Sequence, residues 1–213
     1  MADDFPTCEG VRLVRDLARA VQENAQHLSD IDGLIGDGDH GVNMNKGFAL
    51  AAEQLTDGQD LAAALQTLGN VLLNEIGGAM GPLYGSCFRA MARAARGREV
   101  IDAAAFSAML HGGLDKVRET GGAEVGDKTL LDTLAPALAA FDRAVEAGEN
   151  FAAALQAMRE AAEQGRDATR DLAAKKGRAS RLGERSRGVL DAGAVSCCLL
   201  LCTMADSIAA GLK

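Results

Sequence analysis

Tryptophan is absent from this 213-residue sequence, tyrosine occurs once and proline three times. So few aromatic rings exclude a base-stacking platform and an aromatic belt at a membrane interface. Positive charge is also in short supply. Lys and Arg total 22 against 30 Asp and Glu, a formal charge of −8, which excludes general binding to nucleic acid or to anionic lipid. No apolar run reaches the roughly 18 residues that a transmembrane helix needs. The start, Met1-Ala2-Asp3-Asp4, is acidic and lacks the basic opening of a signal peptide, so a cytoplasmic location is expected. The five cysteines (Cys8, Cys87, Cys197, Cys198 and Cys202) are odd in number and fit neither a disulfide framework nor a zinc spacing. They read as small core residues in a reducing compartment. Aromatic and β-branched residues, which strands prefer, are scarce.

Alanine and leucine, which favour helix, dominate what is present. Apolar residues recur at spacings of three and four almost from end to end. One seam runs through Val11, Val14, Ala18, Val21, Ala25 and Leu28, and others through Met44, Phe48 and Leu55 and through Leu61, Leu65, Leu68, Leu72 and Ile76. Leu83, Cys87, Met91 and Ala94 follow Pro82, a residue suited to a first helical turn. Asp102 reads as the N-cap of a helix reaching about Glu119. Three further seams start at Leu131, Phe151 and Ala194. The expectation is an all-α single domain over 1–213, a bundle of eight amphipathic helices packed nearly antiparallel.

Glycine gathers in four links: 33–41, 77–85, 121–126 and 177–193. These alternate with plainer links such as Thr56-Asp57-Gly58-Gln59. Alternate links of an up-down bundle lie at the same end, so the glycine-rich ones are expected to converge on one face, where a site belongs.

Asp32, Asp37 and Asp39 fall within eight residues, separated by glycines, in Asp32-Gly-Leu-Ile-Gly-Asp37-Gly-Asp39-His40-Gly-Val-Asn43. Carboxylates this close repel unless they share a cation, and hard oxygen ligands suit Mg²⁺ or Ca²⁺. A solvated acidic turn is the plain alternative. An EF-hand fits poorly, because no glutamate closes the loop. The second loop, Gly77-Gly78-Ala79-Met80-Gly81-Pro82-Leu83-Tyr84-Gly85, ends at a helix start, where free N–H groups favour phosphate. The third is Gly126-Asp127-Lys128-Thr129-Leu130-Leu131-Asp132, in which Lys128 reads equally as a phosphate contact or as a loop-stabilising salt bridge. The fourth runs from Lys176-Gly177-Arg178 to Asp191-Ala192-Gly193 and carries the one basic run of the chain; Arg178 can pair with phosphate. His40 reads more readily as a phosphate-orienting or loop-capping group than as a nucleophile or base.

These four loops, in this order, resemble the family of nucleotide-binding L subunits of dihydroxyacetone kinases, over nearly the whole chain from Asp32 to the last helix. The carrying segments are I-G-D-x-D-H-G-x-N, G-G-A-x-G-P-L-Y-G, G-D-K-T and G-R-A-S-x-L-G-E-R-S. The resemblance implies a closed barrel of eight antiparallel helices with the nucleotide at one end. It implies that Asp32, Asp37 and Asp39 hold two Mg²⁺ on the phosphates of ADP or ATP. It implies phosphate-side positions for His40, Gly41, Val42 and Asn43, and nucleotide contacts for Ala79, Met80, Gly121, Leu130, Arg178, Asp191, Ala192 and Gly193. Met80 stands where the family usually has Ser, and Val189-Leu190-Asp191-Ala192 replaces the common His-Gln-Asp-Pro.

The implied activity is phosphoryl transfer, with no catalytic side chain on this chain, to dihydroxyacetone or a related short ketose. A separate K subunit carries that sugar, a phosphohistidine M subunit of the phosphotransferase system recharges the nucleotide, and a homodimer is compatible. Two alternatives stay open: an ATP-dependent L-type subunit of a triose or tetrose kinase, and a degenerate non-catalytic nucleotide-binding module.

Overall fold

The computed structural model describes residues 4–213; the acidic start at 1–3 lies outside the described residues. Eight α-helices account for most of the chain: α1 (Gly10–Ile35), α2 (His40–Gln54), α3 (Leu61–Glu75), α4 (Met80–Ala95), α5 (Ala103–Gly121), α6 (Leu131–Glu146), α7 (Phe151–Ala168) and α8 (Ala192–Ala209). Their order matches the eight seams, and Asp102 caps α5 by accepting from the Ala105 N–H at 2.7 Å. Sequential helices pack on one another, and α8 returns against α1, which closes the ring. Only two short strands occur among the described residues, β1 (Phe5–Pro6) and β2 (Val100–Ile101), paired antiparallel.

The apolar seams meet inside the ring as one large core. All six phenylalanines are buried in it. Phe48 meets Phe88 edge-on at 6.0 Å, and Phe106, Phe141 and Phe151 form a triangle at 5.3–5.9 Å that ties α5, α6 and α7. Burying these rings, each worth roughly 3–5 kcal/mol against alanine, gives an alanine-rich sequence its few large anchors.

Two expectations about the helices need correction. By length and composition α8 is apolar enough to cross a membrane, yet 67% of it is buried inside the bundle: neighbouring helices cover most of it, and only a narrow stripe through Thr203 and Asp206 meets solvent. Cys8 is exposed rather than in the core, since it lies in the short 3₁₀ turn before α1, outside the apolar seam. Cys87, Cys197 and Cys198 are buried free thiols, and Cys202 is half-buried.

The up-down order places the links α1–α2, α3–α4, α5–α6 and α7–α8 at one end of the barrel, the mouth. The two strands close the other end, where the Asp4 and Lys213 backbones also pair.

Candidate functional site at the barrel mouth

Helix α1 runs further than its apolar seam suggested, so Asp32 stands on its last turn rather than on a loop. The chain then turns sharply. The Gly36 N–H donates to the Asp32 carbonyl at 2.5 Å, and a Cβ at position 36 would fall 2.3 Å from Asp32 Oδ1. Gly38 follows with φ of 76°, a left-handed conformation natural to glycine. The turn brings Asp37 and Asp39 back over Asp32. Asp39 occupies the N-cap position of α2, yet its carboxylate makes no capping bond. One oxygen from each of the three carboxylates lies within 4.8 Å of the others. Such a set of hard donors, half-buried to exposed and with like charges crowded together, fits a divalent cation. Across the mouth, Arg178 makes an ion pair with Asp37.

The triad opens into a cavity of about 670 Å³ lined from all four glycine-rich links. Asp32, Asp37, Asp39, His40, Asn43, Ala79, Met80, Gly121, Leu130, Arg178, Asp191, Ala192 and Gly193 all contribute to its wall. Gly41 and Val42 do not. Gly41 faces α1, where a Cβ would sit 1.8 Å from the Ala25 carbonyl oxygen, so its role is close helix packing. Val42 is 64% exposed and points away from the cavity. His40 and Asn43, about one helical turn apart, face the cavity while the two residues between them face away, which a contiguous stretch of sequence conceals.

Asp32 Oδ2 accepts from the His40 N–H at 3.3 Å. The ring of His40 is buried, with Nε2 2.9 Å from Ser196 Oγ. Burial pushes its pKa down to about 4, against the Asp39 charge, so the imidazole is neutral at neutral pH. Ser196 Oγ also lies 2.8 Å from the Tyr84 hydroxyl, which donates to the Gly193 carbonyl at 3.3 Å. This chain locks α2, α4 and α8 together behind the cavity. It fixes the orientation of the His40 ring. Tyr84 was visible in the second loop, whereas Ser196, 156 residues from His40, carried no signal.

Asp191 is half-buried at the N-cap of α8, accepting from the Ala194 N–H at 2.7 Å. Burial pushes its carboxyl up to about 7, opposed by that N–H and by the Lys128 charge. Asp132 shapes the α5–α6 loop by accepting from the Gly126 N–H at 2.5 Å and the Thr129 N–H at 2.7 Å.

Lys128 differs from both readings of the sequence. Its ammonium makes neither a salt bridge nor an outward-facing anion contact; the side chain is 1% exposed and its Nζ lies 2.6–3.1 Å from the carbonyl oxygens of Thr169, Leu172, Ser186 and Val189. Its φ of 61° is the one positive value outside glycine among the described residues.

The helix ends complete the picture. The helices α3, α5 and α7, which start at the far end, are capped by Asp60, Asp102 and Asn150. The helices α2, α4 and α6, which start at the mouth, have no side-chain cap. Neighbouring groups take the first N–H groups of α6 and two of those of α2, and Asp191 caps α8, so the start of α4 is the one left most open to an anion.

Fold and site together define a closed helical barrel whose mouth carries a carboxylate triad fit for a divalent cation beside a helix end fit for phosphate. Residues 34–206 match the DAK2 domain. The chain is 39% identical, over 91% of its length and 93% of the relative's, to the "PEP-dependent dihydroxyacetone kinase 1, ADP-binding subunit DhaL" of Listeria innocua. It is 38% identical, over 81% and 83%, to the corresponding ADP-binding subunit of Escherichia coli. The chain therefore belongs to the DAK2-domain family of dihydroxyacetone kinase L subunits. The structure is similar, with a TM-score of 0.69 and 25% identity, to the dihydroxyacetone kinase from C. freundii in complex with AMP-PNP and Mg²⁺. That match covers 93% of this chain and 33% of the kinase chain.

Proposed function

We propose that this protein is the nucleotide-binding L subunit of a dihydroxyacetone kinase. It holds ADP or ATP at the mouth with two Mg²⁺ and passes a phosphoryl group to dihydroxyacetone, or a related short ketose, carried by a separate K subunit. A phosphohistidine M subunit of the phosphotransferase system recharges the nucleotide, as the relative named PEP-dependent, of nearly the same length, suggests. The protein works in the cytoplasm. The observation that carries this reading is the convergence of three carboxylates, within 4.8 Å, in the cavity that the uncapped start of α4 also lines.

Asp32, Asp37 and Asp39 would hold the metal, which when bound neutralises phosphate charge as it develops in transfer. The rest follows from this chain's own residues. The open N–H groups at Ala79, Met80 and Gly81 receive phosphate oxygens, and Arg178 leaves Asp37 to join them. Met80 brings no hydroxyl, so backbone carries that contact. Ile35, Leu83, Val117 and Leu130 supply apolar wall for the base. The neutral His40, tethered to Ser196, keeps the α2 start in place. Outside the cavity, Leu34, Val42 and Val125 are exposed apolar residues on the mouth links, where the sugar-bearing subunit docks.

Reconstitution with the K subunit and the phosphohistidine donor tests the proposal. Wild type supports repeated transfer, whereas Asp37→Asn retains its helical circular dichroism and loses transfer by at least about a hundredfold, ~2.7 kcal/mol of transition-state stabilisation. Full activity of Asp37→Asn would overturn the metal assignment. Repeated turnover with ATP and the K subunit alone would overturn the recharging route.

A further inference from the structure

The segment between α7 and α8, residues 169–191, is the longest connection in the fold and forms part of the cavity wall through Lys176, Gly177, Arg178 and Ala179. Much of it is 3₁₀ helix, Arg178–Ser186, interrupted at Gly183. Its side chains are largely exposed, so apolar burial contributes little to its order. Polar bonds hold it instead. The Ala174 N–H donates to Ser186 Oγ at 2.8 Å, Ser186 Oγ donates to the Gly183 carbonyl at 2.6 Å, and the Gly188 N–H donates to the Arg170 carbonyl at 2.8 Å. At the centre of these bonds stands one ammonium from another loop. Lys128 Nζ reaches the carbonyls of Thr169 (2.9 Å) and Leu172 (3.1 Å) at the start of the segment, and of Ser186 (2.7 Å) and Val189 (2.6 Å) at its end.

A buried ammonium needs all its N–H groups paired, and buried carbonyls need donors. Each satisfies the other here, and the pairing draws the two ends of the segment onto a single point. The left-handed backbone at Lys128 aims the side chain inward; the cost of that conformation in a non-glycine residue is sustained by the bonds it permits. Lys175 adds a second tie, its N–H donating to the Asp127 carbonyl at 3.1 Å and its Nζ pairing with the Asp127 carboxylate at 3.2 Å. Between the anchored ends the arm projects over the mouth and delivers Arg178 to Asp37.

We infer that Lys128, whose backbone stretch lines the cavity, is a positioning residue for nucleotide binding: its ammonium acts without touching the ligand by anchoring both ends of the 169–191 arm and so holding Arg178 over the carboxylate triad. This rests on the nucleotide reading above. It assigns the charged side chain of the Gly126-Asp127-Lys128-Thr129 loop to the backbone of the protein rather than to phosphate.

The test compares Lys128→Met and Lys128→Gln with wild type, at a temperature well below unfolding. Both variants are expected to keep their helical circular dichroism. Trypsin cleavage between Lys175 and Arg187 accelerates at least tenfold, and Mg-ADP affinity falls at least about tenfold, ~1.4 kcal/mol. Combined with Arg178→Gln, the loss in affinity is markedly less than additive, because both changes remove the same contact. Loss of affinity that adds fully to Arg178→Gln, without faster cleavage, would show direct phosphate contact and overturn the inference. So would unchanged affinity, or failure of both variants to fold, which would make Lys128 a determinant of the whole fold. If wild type binds no Mg-ADP, the nucleotide reading and the positioning role fail together, whereas the cleavage ratio still reports whether Lys128 anchors the arm.

Discussion

At the mouth Lys128 is buried and Asp191 half-buried, and each is pushed toward its neutral form. Lys128 is surrounded by carbonyl oxygens, and burial lowers its pKa while the Asp191 charge raises it. Asp191 has one N–H donor, and burial pushes its carboxyl up from 3.8 to about 7. A carboxyl raised on folding favours the protonated native state. Its contribution to stability is complete below the unfolded value and is lost as pH rises through about 7. Metal-free wild type is therefore expected to lose stability relative to Asp191→Asn as pH rises from 4 to 7, since asparagine keeps the helix cap without the charge. Melting curves of both proteins across that range check this, and a constant difference would contradict it. His40 works in the reverse sense in both proteins, because its pKa is lowered to about 4, and so cancels in the comparison.

At the scale of the element, the informative contrast is between capped and open helix starts. Asp60, Asp102 and Asn150 each accept from the residue three positions on, at the end away from the cavity. At the mouth, Asp39 holds the corresponding position of α2 and leaves its carboxylate to the triad. Asp191 caps α8 at the mouth in the ordinary way, so Asp39 is the aspartate whose N-cap position is spent on the triad instead. The α1–α2 hairpin sets this geometry, because Gly41 lets the start of α2 approach the α1 backbone. Gly41→Ala would bring its Cβ to 1.8 Å from the Ala25 carbonyl oxygen and 2.8 Å from the Ser29 nitrogen. Forcing those helices apart is expected to cost about 1–3 kcal/mol in denaturant unfolding and to weaken metal binding with it. An unchanged midpoint would show that α2 has room.

Helix identity and order were legible because each apolar seam, such as Leu61 to Ile76, is long and regular. The triad was legible because its three aspartates are local, spaced by glycines. Ser196 and the four carbonyls held by Lys128 were not, since they lie 156 and between 41 and 61 residues from their partners. Backbone acceptors leave no mark on side-chain pattern. The outward turn of Val42 was hidden for a simpler reason: it follows His40 by two residues on a helix, which is half a turn.

For the whole molecule, the closed ring explains how an acidic protein with few aromatics holds a polyphosphate. A rigid apolar barrel carries all four glycine-rich links at one end, and the helix dipoles of α2, α4, α6 and α8 point their positive ends there. With a net charge of −8 and three carboxylates at the mouth, the site is expected to have no affinity for a polyphosphate until a cation bridges the two. Calorimetric titration of ADP into the purified protein tests this most directly. The account predicts saturable binding with Mg²⁺, none when the metal is chelated, and none with Asp37→Asn at any Mg²⁺ concentration that serves wild type. Equal ADP binding with and without Mg²⁺ would contradict it.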